Sequence, residues 1–341
     1  MAPHELQKDA VGGALAPQEG HTRSRAAPQP AQKRATASFS NPQLEQFILL
    51  RMVRHRMRLT PENTAVVLDT ASDLPPGIQR RPNWRVVPLT LSFGDETFRD
   101  YVDLTPTELY RRLRSSREMP KTSVPAPAEF SAVYAELGGY ARILGVHVSS
   151  RLSGTYNSAS LAADDTGGRV VTIDSGTVSG TVVLLADAIQ RRLERGTSDE
   201  EVLTLVERFR RSGRFVYTLE TLEYLARGGR IGRAKSLASG ALNTRPVIQV
   251  VDGVNVPVRR LRGRARSLDE LERQLDAGSA DSPTLHFGIT HADAAAEAAE
   301  LEQRFRRLRP QASFDLLVEF APALGSHVGP GAVGVFWFDD A

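Results

Sequence analysis

Four short segments concentrate hydroxyl side chains where a strand ends or a helix begins. They are Asp69-Thr-Ala-Ser72, Lys121-Thr-Ser-Val-Pro125, Ser149–Thr155 and Gly325-Ser-His-Val-Gly-Pro-Gly331. The last adds one imidazole, His327, among glycines that permit unusual backbone angles and a proline that fixes the turn. Hydroxyls with a single imidazole suit an oxyanion held by neutral donors. A carboxylate buried that way needs several hydrogen bonds, because an unpaired buried charge costs several kcal/mol.

The Ser149–Thr155 stretch has the strongest local logic. Leu144–Val148 reads as a buried strand and a helical pattern starts near Thr155 and runs toward Asp164. The first N–H groups of a helix lack internal partners and carry partial positive charge, so strand, hydroxyl-rich turn and helix start form an anion cradle. Gly154 lets a ligand approach the backbone. A plain helix-capping cluster explains the same residues, and this stretch alone leaves both readings open.

Other chemistries compete. Ser153, His327 and Asp69 or Asp73 supply the residue types of a serine-type lipid hydrolase, but no Gly-x-Ser-x-Gly elbow is present. Arg227-Gly-Gly-Arg230-Ile-Gly-Arg233-Ala-Lys235 resembles a phosphate loop without its Gly-Lys-Ser/Thr ending, which disfavours a nucleotide-binding enzyme. It reads either as a solvated basic turn or as a contact for phosphate groups or an acidic partner. His147 lies inside a strand and reads as a core residue, and His286 and His291 lack metal-ligand spacing, so no metal is expected. The absence of cysteine excludes disulfides, thiol chemistry and Cys-based metal sites.

The net charge of +3 is unevenly placed. Met1–Thr60 holds 9 basic and 4 acidic residues, leaving 34 basic and 36 acidic beyond it. A nucleic-acid-binding body usually carries its own basic excess, so no nucleic acid partner is expected. No apolar run is long enough to cross a bilayer and no secretory signal opens the chain, which points to the cytoplasm.

These segments require a scaffold. Residues 1–40, rich in Ala, Pro, Gln, Gly and Ser, read as a disordered leader. Residues 41–60 read as a basic amphipathic helix that docks on protein or lies transiently on a membrane surface. Strands at Ala65–Leu68, Arg85–Leu91, Leu144–Val148 and Val170–Ile173 alternate with helices and predict a parallel α/β sheet over 63–175. Ligands gather at the carboxyl ends of such strands. A second α/β domain is expected over 176–341, with a hairpin turning at Asp252-Gly253.

From about Thr64 to Phe338 the chain resembles the DegV proteins, the group that includes the fatty-acid-binding subunits of bacterial fatty acid kinase. The resemblance rests on Asp69-Thr-Ala-Ser-Asp-Leu74, Val87-Pro-Leu89, Thr122-Ser-Val-Pro125, Ser149-Ser-Arg-Leu-Ser-Gly-Thr-Tyr156 and Asp174-Ser175. It continues through Leu222-Glu-Tyr-Leu225, Gly228-Gly-Arg-Ile231 and Ser326-His-Val-Gly-Pro-Gly331. The pieces fall in family order and cover most of the chain, although the first motif places its hydroxyls at Thr70 and Ser72 where the family usually reads Asp-Ser-Thr-Ala-Asp. The resemblance implies two α/β domains enclosing a long-chain fatty acid, with no cofactor and no catalytic residue in this chain. It assigns the carboxylate to Thr122, Ser123, Ser153 and His327, with Gly154 and Thr155 nearby. It also implies a separate ATP-dependent kinase subunit that phosphorylates the bound acid for phospholipid synthesis, and it assigns docking of that subunit to Arg230.

Overall fold

The computed structural model describes residues 57–74, 81–115, 119–237 and 244–341, which all belong to one compact unit. The expected leader and residues 41–56 of the expected basic helix lie outside the described residues. The last four residues of that segment are not helical: Leu59 is buried and pairs with Thr197 as an isolated bridge.

The expected parallel sheet is present. Strands β1 (Thr64–Asp69), β2 (Trp84–Val87), β6 (Arg142–His147) and β7 (Val170–Asp174) form a four-stranded sheet in the order β2-β1-β6-β7, all parallel. All six residues of β1 and of β6 are buried, as expected of strands covered on both faces. Helices α2 (Pro127–Glu136) and α3 (Thr155–Ala163) pack together beside it, α3 against β6 and β7.

The predicted strand Arg85–Leu91 divides in two. It leaves the parallel sheet at Val87, and Thr90–Phe93 (β3) joins a separate antiparallel sheet with β4 (Glu96–Arg99) and β5 (Lys121–Ser123). Pro88 sits at the break and donates no hydrogen bond. Leu89 turns its N–H to Thr70 Oγ1 at 3.0 Å. Helix α1 (Pro106–Ser115) follows β4.

The second half of the chain builds a mixed six-stranded sheet, β10-β9-β8-β13-β11-β12. Its strands are β8 (Arg214–Thr218), β9 (Thr244–Val251), β10 (Val254–Arg262), β11 (Leu285–His291), β12 (Ser313–Glu319) and β13 (Val333–Asp339). Only the β11–β12 pair is parallel. The predicted Asp252-Gly253 turn joins β9 to β10, with both residues at positive φ of 48° and 68°. That is the pairing a two-residue hairpin with right-handed twist requires. Helices α4 (Gly180–Arg195), α5 (Asp199–Ser212), α6 (Glu223–Arg227), α7 (Arg264–Gly278), α8 (Ala295–Leu308) and α9 (Pro322–Val328) complete the unit. Helix α4 contacts β6 of the first sheet and β11 and β13 of the second. One apolar cluster therefore runs through both halves, from Val66 and Leu144 to Phe215 and Phe336.

Arg142 at the start of β6 and Asp199 at the start of α5 form a buried ion pair at 2.7 Å between the two halves. Removing one member leaves the other charged and unpaired in the interior. Asp199→Ala is therefore expected to lower stability by roughly 3–5 kcal/mol, measured by urea denaturation.

Candidate functional site

The carboxyl ends of the parallel strands open onto a cavity of about 630 Å³, part of it continuous with solvent. Its apolar wall comes from loops after β1, β6 and β7 (Ala71, Val148, Leu152 and Val178), from Leu89, and from Phe215, Leu225, Phe320, Ala323, Leu324 and Val328 of the second half. The polar lining is Thr122, Ser153, Tyr217, Arg230, Asn255 and His327.

Most of these polar residues are tied into hydrogen bonds with one another or with nearby main chain. Thr122 Oγ1 and His327 Nε2 lie 3.0 Å apart in a hydrogen bond whose direction depends on the imidazole tautomer. The Arg230 charge acts on His327. Arg230 donates through Nε to Leu152 O at 3.2 Å and through Nη1 to Gly228 O at 2.7 Å. Asn255 donates to Arg230 O at 2.8 Å and accepts from Tyr217 OH at 2.8 Å. Ser153 Oγ is 2.8 Å from Thr155 Oγ1 and accepts the Thr155 N–H at 3.3 Å. The polar groups thus gather on one side of an otherwise greasy chamber.

His327 sits in the last turn of α9 rather than on the glycine-rich loop that the sequence suggests. Pro322 stands at the first helical position, where its missing N–H has no cost, and the positive φ angles fall only at Gly329 and Gly331. Gly228 gives the ring its room: a Cβ there would collide with His327 Nδ1. Burial pushes the imidazole pKa down to about 4, helped by the nearby Arg230 charge, so the ring is neutral near pH 7.

The structure brings Thr122, Ser153, Arg230 and His327 together at the cavity but not Ser123. Strand alternation in β5 turns Thr122 inward and leaves Lys121 and Ser123 exposed. Thr155 is buried behind Ser153 and does not line the cavity. Gly154 lines an adjoining polar cleft, which shares Leu152, Ser153, Arg230 and Asn255 with the cavity. Arg230, expected to serve docking, lines both the cavity and the adjoining polar cleft. Tyr217 and Asn255 also contribute, unmarked by residue type; the sequence signal for Tyr217 is that 215 and 217 share one face of β8, and Asn255 on β10 has none.

The hydrolase constellation is not assembled. His327 Nε2 bonds to Thr122, Ser153 bonds to Thr155, and Asp69 accepts from Val148 N–H at 3.2 Å and pairs with His147 Nδ1 at 3.0 Å. Asp73 accepts from Ser179, Thr290 and Ala321. His147 is thus the core histidine that its position in a strand suggests. Among the described residues no group of three or more His, Asp or Glu is placed to hold a metal ion.

The site is an apolar chamber with a cluster of polar side chains, at the carboxyl ends of a parallel sheet. Residues 63–340 match the family model described as "Uncharacterised protein, DegV family". The chain belongs to the DegV family. A DegV domain-containing protein of Deinococcus radiodurans is 34% identical over 281 residues, covering 80% of this chain and 96% of that protein. A DegV family protein from Thermus thermophilus, whose structure was solved as a case of fatty acid binding, superposes with a TM-score of 0.77 at 32% identity. The match covers 81% of this chain and 99% of that one. The fold is also shared with the Fatty Acid Kinase (Fak) B3 protein of Streptococcus pneumoniae, solved loaded with linoleic acid, at 22% identity, TM-score 0.71 and coverage of 81% and 99%.

The histidine makes a checkable statement about acid stability. Its folded pKa lies below its ordinary value of 6.5, so the folded state resists protonation that the unfolded state accepts. Its contribution is complete above about pH 6.5 and is lost as pH falls toward 4. His327→Gln is expected to lose less stability than the parent between pH 6.5 and 4.5, read from urea midpoints at both values.

Proposed function

We propose that this protein binds a long-chain fatty acid without chemistry of its own and holds the carboxylate for phosphorylation by a separate ATP-dependent kinase subunit. The observation that carries the reading is the cavity itself: apolar walls, with Thr122, Ser153, Arg230 and His327 collected on one side. The acyl tail lies against Leu89, Val178, Phe215 and Phe320, and the carboxylate faces the Thr122–His327 pair. Burying a methylene contributes about 0.8 kcal/mol, so a long tail gives on the order of 10 kcal/mol before the costs of association. Affinity resides in the tail, and the neutral side chains need only orient the head.

The family supports lipid binding, since relatives such as the Thermus thermophilus protein are described as binding fatty acids. The kinase step rests on the sequence resemblance; the 22% identical pneumococcal protein contributes only a shared fold. We read the two sheets as two lobes, 63–175 and 176–341, that close over the ligand. Acyl phosphate formation for phospholipid synthesis would place the protein in the cytoplasm with transient membrane contact. No helix among the described residues is long and apolar enough to cross a membrane.

Organic extraction of the purified full-length protein followed by mass spectrometry is expected to yield a long-chain fatty acid. Neither a co-purified acid nor uptake of added oleate would overturn the reading. His327→Ala is expected to weaken oleate binding by about ten-fold, the effect of one lost hydrogen bond to a charged group, with the melting temperature little changed. Arg230→Ala is expected to change oleate binding by less than about ten-fold, because the tail dominates. With the cognate kinase and ATP, the same variant should form acyl phosphate far more slowly at saturating oleate.

A further inference from the structure

The wall of the cavity that carries His327 is one short segment. Phe320, Ala323, Leu324, His327 and Val328 all line the chamber. Its start is fastened by groups remote in sequence. The N–H of Ala321 donates to Asp73 Oδ1 at 2.8 Å, and the N–H of Ala323 donates to Asp100 Oδ1 at 3.2 Å. Tyr101 OH donates to Glu319 O at 3.0 Å, and the Phe320 N–H donates to His291 O at 2.7 Å. Pro322 has no N–H to satisfy. The two carboxylates therefore take up the donors that a helix start normally leaves without partners. Both come from the opposite half of the chain, and both are fully buried.

We propose that Asp73 and Asp100 are positioning residues for the ligand, holding the start of the Pro322–Val328 helix, and with it His327, against the cavity by a grip that depends on their protons. This inference rests on the fatty-acid reading of the cavity. No basic side chain among the described residues pairs with either carboxylate. The second Asp73 oxygen accepts from Ser179 and from Thr290, the latter at 3.2 Å. Asp100 also accepts from the Thr70 side chain, and the other ionisable groups nearby are acids or phenols: Asp100 acts on Asp73, Asp69 acts on Asp100, and Tyr101 and Tyr110 lie close to both, with Glu319 beside the two phenols. His291 on β11 is held neutral by burial. Burial, opposed by the hydrogen bonds, raises Asp73 to about 8 and Asp100 to about 7.

The sign follows from linkage. An acid whose pKa is higher in the closed state than when exposed favours closure at low pH, and that advantage shrinks as pH rises until the closed-state pKa is passed. The window between pH 6.5 and 8.5 isolates this effect. His327 is neutral in the closed state throughout it, an exposed imidazole, half protonated at pH 6.5, is largely neutral from about pH 7.5, and a fatty acid carboxyl, ordinarily near 4–5, stays ionised. Asparagine is the fitting replacement, since Asp73 has a φ of 61°, a region that Asn tolerates.

The test uses full-length protein loaded with a long-chain fatty acid bearing a fluorescent tail, mixed with excess phosphatidylcholine vesicles. The transfer rate is expected to rise by about ten-fold from pH 6.5 to 8 and then level off, following one proton lost per unit for the dominant group. The D73N/D100N double variant should show no such rise, and each single variant should keep part of it, which serves if the double variant does not fold. A flat parent profile, or variants with the full parental rise, would overturn the proposal. Failure of the probe to bind at pH 6.5 would instead sink the fatty-acid reading. The grip is then read in the empty protein, where the melting temperature should fall with pH in the parent but not in the variants; equal falls overturn it.

Discussion

Each polar group in the interior must find a partner there, and the arrangement of this site follows from that demand. The Thr122–His327 hydrogen bond joins residues 205 positions apart and marks the point where the antiparallel β5 meets α9. The site exists only when both halves are folded and apposed. The surrounding apolar cluster supplies the driving force, and the polar pairs fix the geometry within it. Asp69 shows the same logic a layer behind. It accepts from the main chain of Ala71 and Val148 and from His147, tying the first loop of the parallel sheet to the end of β6.

How far the sequence reveals this depends on the range of the interaction. The parallel sheet was readable because its strands are short continuous apolar runs alternating with helical segments. The small antiparallel sheet was not readable: β5 is only Lys121–Ser123, too short for a period. Its alternation nevertheless decides which hydroxyl reaches the cavity. Choosing between Thr122 and Ser123 needs the register to β3, and register is a tertiary fact.

Helix α9 escaped notice because Pro322, Gly325, Gly329 and Pro330 read as turn formers. Tertiary contacts override that local preference. Gly325 is needed there because a Cβ would meet Tyr110 OH at 2.6 Å, and Gly329, at φ 75°, lies where a Cβ would strike the Tyr224 ring. The roles of Asp73 and Asp100 were still less legible. Their partners are main-chain N–H groups more than two hundred residues away, and an N–H leaves no mark on residue type. Arg230 is visible as a charged residue in a glycine-rich turn, but its place in the site depends on Asn255 of β10 holding its main-chain carbonyl and on the carbonyls of Leu152 and Gly228 that take its side-chain donors.

That placement bears on how a carboxylate is held. A free guanidinium offers a planar fork that grips a carboxylate with two parallel hydrogen bonds. In Arg230 two of the three nitrogens are already committed to the carbonyls of Leu152 and Gly228. Those two bonds use two of the five N–H donors and fix the plane of the guanidinium, so a carboxylate can meet only the remaining Nη1 and Nη2 hydrogens. His327 adds no second charge, because burial keeps it neutral. On the fatty-acid reading, the head would meet a guanidinium of fixed orientation with neutral hydroxyl and imidazole partners, while the tail would meet the apolar wall. Such a division would let an acid stay bound by its tail while its carboxylate, held by partners of fixed direction, remains within reach of a reacting group.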